Sequence, residues 1–330
     1  MKKILVCGAN GFMGRNIVEY FNNILDYEVY GTYCLGKPIE QSVLSGDRLL
    51  GVDLTKKGHV EDIFKRVNPD IVIQAAAVTS GSKDITERPY IHTTDNAVMN
   101  SLILRACYEH SVKHFLFLSC GVMYQPGDEP RKESDFNEHD ELHRNYFGVG
   151  WTKIYIEKMC EFYSRLGRTK HTVIRHSNTY GPYDKYDLEK SHVFGATVRK
   201  VMDAKDGDTI TVWGNGEDTA RDLIYVEDVT RFIENAIDLQ QSSFELVNVS
   251  YGRAITVREM VEAIIFHSNK DLKINYDTSK PSIPTKLVLD REKASKLFKW
   301  HPRVSFQDGV FRTIKWYKDY YGIKKYGSET

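Results

Sequence analysis

The chain has 330 residues, of which 41% are hydrophobic and 27% charged, and its formal net charge at pH 7 is zero. This composition is that of an ordinary globular protein, and the length suits one large domain or two coupled ones. A nucleic-acid-binding protein would show a basic excess or stripe, which is absent here, so that class is not expected.

The cysteines indicate the cellular compartment. Five are present, an odd number, and none lies in a CxxC pair or at metal-ligand spacing. We therefore predict free thiols in a reducing cytoplasm, with neither a disulfide framework nor a metal site. The apolar run in the N-terminal MKKILVCGAN is too short for a signal-peptide core, and no apolar stretch approaches the ~20 residues that span a membrane.

The first half of the sequence alternates short apolar runs with helical patterns. Strands are predicted at 3–8, 28–33, 49–54, 70–77, 114–119 and 171–175. Helices are predicted at 16–24, 59–67, 97–109 and 151–166. This alternation predicts an α/β fold, a Rossmann-type doubly wound parallel sheet. We assign residues 1–176 to a dinucleotide-binding domain. We assign 177–330 to a smaller mixed α/β substrate-binding lobe, some segments of which return to the first domain.

A glycine triplet follows the first predicted strand and opens the first helix. Gly8, Gly11 and Gly14 are spaced three residues apart in VCGANGFMGRN. Glycine allows a tight turn and a close approach of backbone amides to a pyrophosphate, which the helix N-terminus also attracts. In this strand–turn–helix context the triplet predicts a dinucleotide site. Asn10, Phe12 and Met13 belong to the same loop.

The GxxGxxG spacing and several later motifs resemble the extended short-chain dehydrogenase/reductases, the NAD-dependent epimerase/dehydratase family, that act on nucleotide sugars. The resemblance covers nearly the whole chain. It implies that Asp53, with Leu54, holds the adenine and that Lys153 grips the nicotinamide ribose hydroxyls. It also implies cofactor contacts for Ala75, Ala76, Ala77 and Asn96.

The acidic residue that would select NAD is missing after the second predicted strand. GTYCLGK offers Tyr33 and Cys34, with Lys37 further out. An acidic residue there would favour NAD and an arginine NADP. We favour NAD and leave NADP open.

Three motifs of the second half indicate the substrate. RHSNTYGPYD (175–184) resembles the family segment whose asparagine, here Asn178, touches the phosphates of the nucleotide sugar. VWGNGEDTARDLIYVEDV (212–229) resembles another segment of the family. The resemblance implies that Arg221 meets the nucleotide phosphate or ribose, and a planar guanidinium suits phosphate geometry. SHVFGATVRK (191–200) resembles the GDP-fucose synthase branch and favours a GDP-linked sugar. There His192 would act as acid or base, and Arg199 and Lys200 would meet a diphosphate.

The catalytic positions depart from the family pattern. The catalytic tyrosine, four residues before Lys153, is replaced by Val149. Alignment on Tyr124 places the catalytic serine or threonine at Cys120. Gly121 and Val122 replace the acid and base of the dehydratases, and Val122 also replaces the cysteine of the epimerising branch. The pattern therefore argues against dehydration and against two-base epimerisation.

Three hypotheses remain. The first is an oxidoreductase that transfers hydride at C4 of a GDP-linked hexose or heptose in bacterial surface-polysaccharide biosynthesis. Its proton transfer would have moved to Cys120, Tyr146, His192, or Lys153 through water. The second is a catalytically retired paralogue that binds NAD and a nucleotide sugar as a sensor or partner subunit. The third, a bare scaffold, does not explain why cofactor and phosphate motifs occur together.

The helices predicted at 97–109 and 151–166 carry apolar residues on more than one face. The resemblance implies that they pair across a two-fold axis, so a homodimer or higher homo-oligomer is expected.

Overall fold

A computed structural model describes residues 1–36, 42–79, 88–142, 144, 146–188, 191–279 and 285–326. Its helices are α1 (Phe12–Asn22), α2 (Lys57–Val67), α3 (Thr94–Glu109), α4 (Phe147–Ser164), α5 (Val193–Asp203), α6 (Val226–Leu239), α7 (Val257–Ser268), α8 (Glu292–Phe298) and α9 (Phe306–Tyr326). Short 3₁₀ turns lie at Gly46–Arg48, Pro89–His92 and Glu133–Asp135. Among these helices none is long and apolar enough to cross a bilayer.

A seven-stranded sheet of parallel strands forms the centre of the molecule. Its strands are β1 (Lys2–Cys7), β2 (Tyr27–Tyr33), β3 (Leu49–Gly51), β4 (Ile71–Gln74), β5 (His114–Cys120), β6 (Lys170–His176) and β10 (Phe244–Val249). They lie in the order β10–β6–β5–β4–β1–β2–β3. The order reverses beside β1, as in doubly wound dinucleotide folds, so the predicted fold class is confirmed.

Each face of this sheet has its own apolar layer. Because strand residues alternate, Leu116 and Ile174 face a core that α1, α6 and α8 complete. Phe115 and Val173 face a second core under α2, α3 and α4. Burial on both faces explains why these strands read as continuous apolar runs rather than alternating ones.

The second lobe consists of two small sheets and three helices. β9 (Thr219–Tyr225) pairs with β7 (Asn178–Tyr180), β11 (Ala254–Thr256) and β13 (Thr285–Leu287), and β8 (Thr209–Trp213) pairs with β12 (Lys273–Asp277). α5, α7 and α9 share a separate core with these strands. β10, α6 and α8 come from the second half of the chain but pack in the first lobe. We propose that these are the segments that return to the first domain.

The predicted element boundaries were wrong at α1, α3, α4, β3 and β4. α1 begins at Phe12 and α3 at Thr94, before the predicted starts at 16 and 97. β3 ends at Gly51 and β4 at Gln74, before the predicted ends at 54 and 77. Beyond Gln74 the chain turns toward the glycine loop, where Ala76 packs against Gly8. α4 begins at Phe147, four residues before the prediction, because Tyr146 already takes its N-cap position.

Candidate functional site

Two glycines of the loop after β1 are required by the fold itself. Gly8 has φ +82°, and a Cβ there would lie 2.7 Å from the Cα of Ala76. A Cβ on Gly14 would lie 2.1 Å from the carbonyl oxygen of Gly8. Side chains at these two positions would clash with backbone that cannot move away, so both glycines serve the close packing of α1 on the sheet.

The middle glycine differs from the other two. A Cβ on Gly11 would meet a single described neighbour, the Gly8 carbonyl oxygen at 3.3 Å. Gly11 is the exposed N-cap of α1, and no side chain caps that helix end. The Gly11 amide donates to the Gly8 carbonyl at 2.9 Å. The next amides of the first turn of α1 have no intrahelical acceptor, the arrangement that receives phosphate groups. The cradle fits a dinucleotide pyrophosphate. Asn10 contributes a different contact, accepting a hydrogen bond from Arg15 at 3.3 Å.

Asp53 lies just beyond β3, with Leu54 buried beside it. Its Oδ1 accepts hydrogen bonds from the Thr55 hydroxyl at 2.6 Å and the Thr55 backbone N–H at 3.0 Å. These bonds lower the pKa of the Asp53 carboxyl and keep it ionised. Because both bonds end on Oδ1, Oδ2 is the oxygen suited to accept from an adenine amine.

Asn96 holds the loop after β4. The side chain is buried, accepts from the Val78 N–H at 2.9 Å, and donates to the Val78 carbonyl at 3.0 Å and the His92 carbonyl at 2.8 Å. Its amide is thus committed to protein groups. Asn96 fixes the path of Ala75–Val78, which carries Ala76 and Ala77, and its predicted contact with cofactor stays a prediction.

Lys153 lies on α4 against the end of β5. Its Nζ donates to the Leu118 carbonyl at 2.8 Å and sits 4.5 Å from the centre of the Phe117 ring. Burial lowers the pKa of Lys153, and the neighbouring Cys120 partly offsets that effect. Burial raises the pKa of the Cys120 thiol, which therefore stays protonated at neutral pH. Val149 lies one turn before Lys153 in the first turn of α4, half-buried.

A buried ion pair lies directly beneath these groups. Arg175 donates to Glu157 through Nε at 3.1 Å and Nη2 at 2.6 Å, and Ser119 donates to the same carboxylate at 2.5 Å. Arg175 also donates to the Tyr124 hydroxyl at 2.8 Å. The network joins α4 to the last residues of β5 and β6. Sequence reasoning used Tyr124 only to align the chain and missed the pair, although a glutamate one turn after Lys153 was visible.

Asn178 and Arg221 lie on paired strands of the second lobe, β7 and β9, and β7 begins two residues after β6 ends. Ligands of doubly wound sheets bind outside the carboxyl ends of the strands, and we call that region, next to β7 and β9, the cleft. Asn178 aligns with Leu223, so the side chains of Asn178 and Arg221 point to the same face of the β7–β9 pair. Asn178 is exposed, and Arg221 is half-buried beside Tyr146. Burial lowers the pKa of Arg221, and the nearby Tyr146 partly offsets that effect. Tyr146 therefore neighbours the predicted phosphate ligand.

The basic pair predicted for a diphosphate has partners within its own lobe. Arg199 forms an ion pair with Asp203 one turn later on α5, at 2.5 Å. Lys200 donates to the Thr211 carbonyl at 3.0 Å. His192 is exposed and occupies the N-cap of α5. Contacts of these three residues with substrate stay predictions, and Lys37 lies outside the described residues.

His176, which sequence reasoning missed, is the last residue of β6. It stands in register with Cys120, the last residue of β5, so the two side chains point to the same face of the sheet. The His176 Nδ1 lies 2.9 Å from the Ser177 carbonyl oxygen and 3.1 Å from the Thr179 hydroxyl. Burial lowers the pKa of His176 to about 4. Pairing the predicted ends of the two strands would have brought this histidine to notice.

The comparisons with known proteins agree with this geometry. The chain is 26% identical over 318 residues to GDP-L-colitose synthase of Yersinia pseudotuberculosis, covering 96% of this chain and 97% of the relative. It is 29% identical over 319 residues to GDP-L-fucose synthase 1 of Arabidopsis thaliana, covering 96% and 93%. A solved structure of Thermus thermophilus UDP-glucose 4-epimerase in complex with NAD superimposes with a TM-score of 0.81 at 24% identity, covering 96% and 99%. The model of the NAD dependent epimerase/dehydratase family matches residues 4–250. The chain belongs to that family.

Proposed function

We propose that this protein is an NAD-dependent oxidoreductase that transfers hydride at C4 of a nucleoside-diphosphate sugar. The substrate is a GDP-linked hexose or heptose of bacterial surface-polysaccharide biosynthesis. The observation that supports it is the combination of the glycine cradle at the start of α1, Lys153 against the end of β5, and Asn178 and Arg221 on one face of the β7–β9 pair, which begins two residues after β6 ends. Curated relatives that match nearly the whole chain are named GDP-sugar synthases, which supports a GDP-linked substrate.

The first lobe would hold the cofactor through groups that its own packing leaves available. The amides at the start of α1 would bind the pyrophosphate, and Asp53 Oδ2 would accept from the adenine amine. Lys153 would exchange its bond to the Leu118 carbonyl for the nicotinamide ribose hydroxyls. NAD, when bound, supplies the hydride acceptor for a sugar alcohol.

The second lobe would hold the diphosphate of the substrate. Arg221 offers a guanidinium whose planar donors match phosphate oxygens, and Asn178 offers an exposed amide on the same face. Tyr146 beside Arg221 would orient the guanidinium or bond the nucleoside. We place the diphosphate here and the reacting end of the sugar toward Cys120.

A specific observation favours a second candidate function. Val149 cannot exchange a proton, and losing a positioned acid or base typically costs about 100- to 10,000-fold in rate. A retired paralogue would keep the cofactor cradle and the phosphate ligands as a sensor or as the partner of an active enzyme. The two functions differ only in whether hydride moves.

Isotope transfer distinguishes them. Purified protein is given NAD and a panel of GDP-, UDP-, CDP- and dTDP-sugars carrying deuterium at C4. Mass spectrometry then follows label in both free and protein-bound nicotinamide, because a tightly held cofactor hides a single turnover. Label from one GDP-sugar is the expected result. The same sugar deuterated at C3 is the matched control and should transfer none.

Absence of label with every sugar, when calorimetry shows that both ligands bind, would refute the oxidoreductase and leave the sensor or partner function. A Val149→Tyr variant gives a second test. If proton transfer has moved to another residue, the native protein is already active and the new tyrosine should change its rate by less than about tenfold. Activity that exists only in Val149→Tyr would identify the native protein as retired.

We also propose that the protein forms a homodimer through α3 and α4. Val98 on α3 and Tyr155 and Phe162 on α4 are exposed apolar or aromatic side chains, with Leu166 just beyond α4. Together they leave an apolar surface that a second copy would cover. Light scattering should give twice the 38.0 kDa chain mass, and Phe162→Lys should reduce it to one.

A further inference from the structure

We propose that His176 is the proton acceptor that replaces the missing tyrosine, with Nε2 receiving the hydroxyl proton of the sugar. This inference rests on the proposed oxidoreductase function. It starts from the place where the chain passes from β6 in the first lobe to β7 in the second. His176 is the last residue of β6 and precedes Asn178 by two residues, so it lies where the chain leaves the predicted cofactor-binding lobe for the predicted substrate-binding lobe.

The hydrogen bonds of the ring determine its tautomer. The Ser177 carbonyl can only accept, so the Nδ1 of His176, 2.9 Å away, must carry the proton and donate it. Nε2 of the neutral ring then holds the lone pair. Within the described residues, the hydrogen bonds of the ring are made by Nδ1, to Ser177 and Thr179. A fixed Nδ1–H with an available Nε2 is the arrangement of a general base.

The position of the ring also fits. His176 pairs in register with Cys120, which occupies the place of the family's serine or threonine beside the reacting oxygen. Lys153 lies close enough for its charge to lower the pKa of His176, a smaller effect than that of burial. The ring is therefore neutral in the physiological pH range, so Nε2 carries a lone pair rather than a proton.

The other candidates are less suited. Burial keeps the Cys120 thiol protonated, and Lys153 uses its ammonium to donate to a carbonyl. Tyr146 lies beside Arg221, and His192 is on the exposed N-cap of α5. Among the five groups, His176 alone combines a fixed tautomer with a place beside Cys120.

The step is balanced as follows. With NAD bound, the C4 hydroxyl would lose its proton to Nε2 of His176, and the C4 carbon would give a hydride, with its two electrons, to the cofactor. The C4–O bond becomes a carbonyl. The imidazolium then releases the proton to water, so one proton leaves for each alcohol oxidised.

His176→Asn is the decisive variant, because the asparagine amide can still donate to the Ser177 carbonyl while Nε2 is removed. We expect single-turnover hydride transfer at saturating ligand to fall about 100- to 10,000-fold. Affinities for NAD and GDP, measured by calorimetry, should stay within twofold. His301→Asn, at an exposed histidine between α8 and α9, is the matched control and should lose less than twofold.

A second measurement does not depend on turnover. In ¹⁵N–¹H long-range correlation spectra of the cofactor-free protein, the imidazole signal that is missing from His176→Asn identifies His176. It should show the Nδ1–H tautomer at pH 7. An Nε2–H tautomer or an imidazolium at pH 7 would overturn the assignment, whatever the rate of hydride transfer in the variant.

The outcomes separate the two proposals. Wild-type protein that transfers no label overturns the proposed function and this assignment with it. An active wild type with less than threefold loss in His176→Asn overturns the assignment alone. So does a variant that loses affinity for both ligands, because that result indicates a structural role.

Discussion

The burial of the ion pair between Arg175 and Glu157 predicts how much stability is lost when one partner is removed. The side chains of Arg175 and Glu157 are 3% and 4% exposed, and two hydrogen bonds join them. Glu157→Met leaves the guanidinium buried without its counter-charge. Removing one partner of such a pair typically costs about 3–5 kcal/mol in the free energy of unfolding. Ser119 also loses its acceptor, which places Glu157→Met at the upper end of that range.

The measurement is urea denaturation followed by circular dichroism at one fixed protein concentration, since dimer formation would couple stability to concentration. Lys158→Met is the matched control. Lys158 lies next to Glu157 on α4, and its ion pair with Glu161 is exposed. Such a surface pair contributes about 0–1 kcal/mol.

A double-mutant cycle tests the reasoning itself. In Glu157→Met/Arg175→Met neither charge is left buried alone, so the loss should be smaller than the sum of the single losses by about 2–3 kcal/mol. Strict additivity, or a loss below about 1 kcal/mol in Glu157→Met, would refute the claim that the cost of burying an unpaired charge determines the stability of this site.

Three further predictions concern the glycine loop and the buried histidines. Gly11→Ala should keep the melting temperature within about 2 °C but lose NAD binding at least tenfold in calorimetry, whereas Gly14→Ala, which would clash with backbone at 2.1 Å, should fail to fold. Neither ring nitrogen of the fully buried His171 has a hydrogen-bond partner among the described residues. His171→Met should therefore stabilise the protein by about 1 kcal/mol in urea titrations, and a loss of stability would contradict this. Burial lowers the pKa of His171 to about 4 and that of His114 to about 3. As the pH falls, these histidines take up protons in the unfolded chain before they do so in the folded protein. The contribution of the neutral rings to stability should therefore be fully present above pH 6.5 and should be lost as the pH drops toward 4. At about 1.4 kcal/mol per pKa unit, His171 alone accounts for about 3 kcal/mol of that loss at pH 4. A urea midpoint that is the same at pH 7 and pH 4.5 would contradict the prediction.

Local patterns were sufficient to predict the first lobe. Apolar runs, helical spacing and the glycine triplet are local signals, and they identified the six strands from β1 to β6 and the class of the sheet. The edge strand β10 was missed because it follows the irregular segments of the second lobe. Its parallel pairing with β6 depends on contacts between residues about 70 positions apart.

The sequence could predict those site residues whose role depends only on their residue type and their position in a local motif. Gly8 follows β1, Gly14 lies in the first turn of α1, and Asp53 follows β3. Their contacts with cofactor stay predictions. Roles that depend on partners far along the chain were not predictable. Asn96 holds a loop, and His176 meets Cys120 only because β5 and β6 pair in register.

The interleaving of the two lobes restricts how the cleft can move. The chain passes between the lobes at 176–178, 225–226, 249–254, 289–292 and 300–306. A domain hinge usually concentrates its bending in a few residues of one or two connections. Five connections would have to bend together here, so we expect the cleft to keep a nearly constant width. Ligands would then enter and leave when side chains at the edge of the cleft move. One of these is Lys185, which donates hydrogen bonds to Thr79. A reduced cofactor bound in such a cleft would dissociate slowly, and its dissociation would limit the rate of turnover.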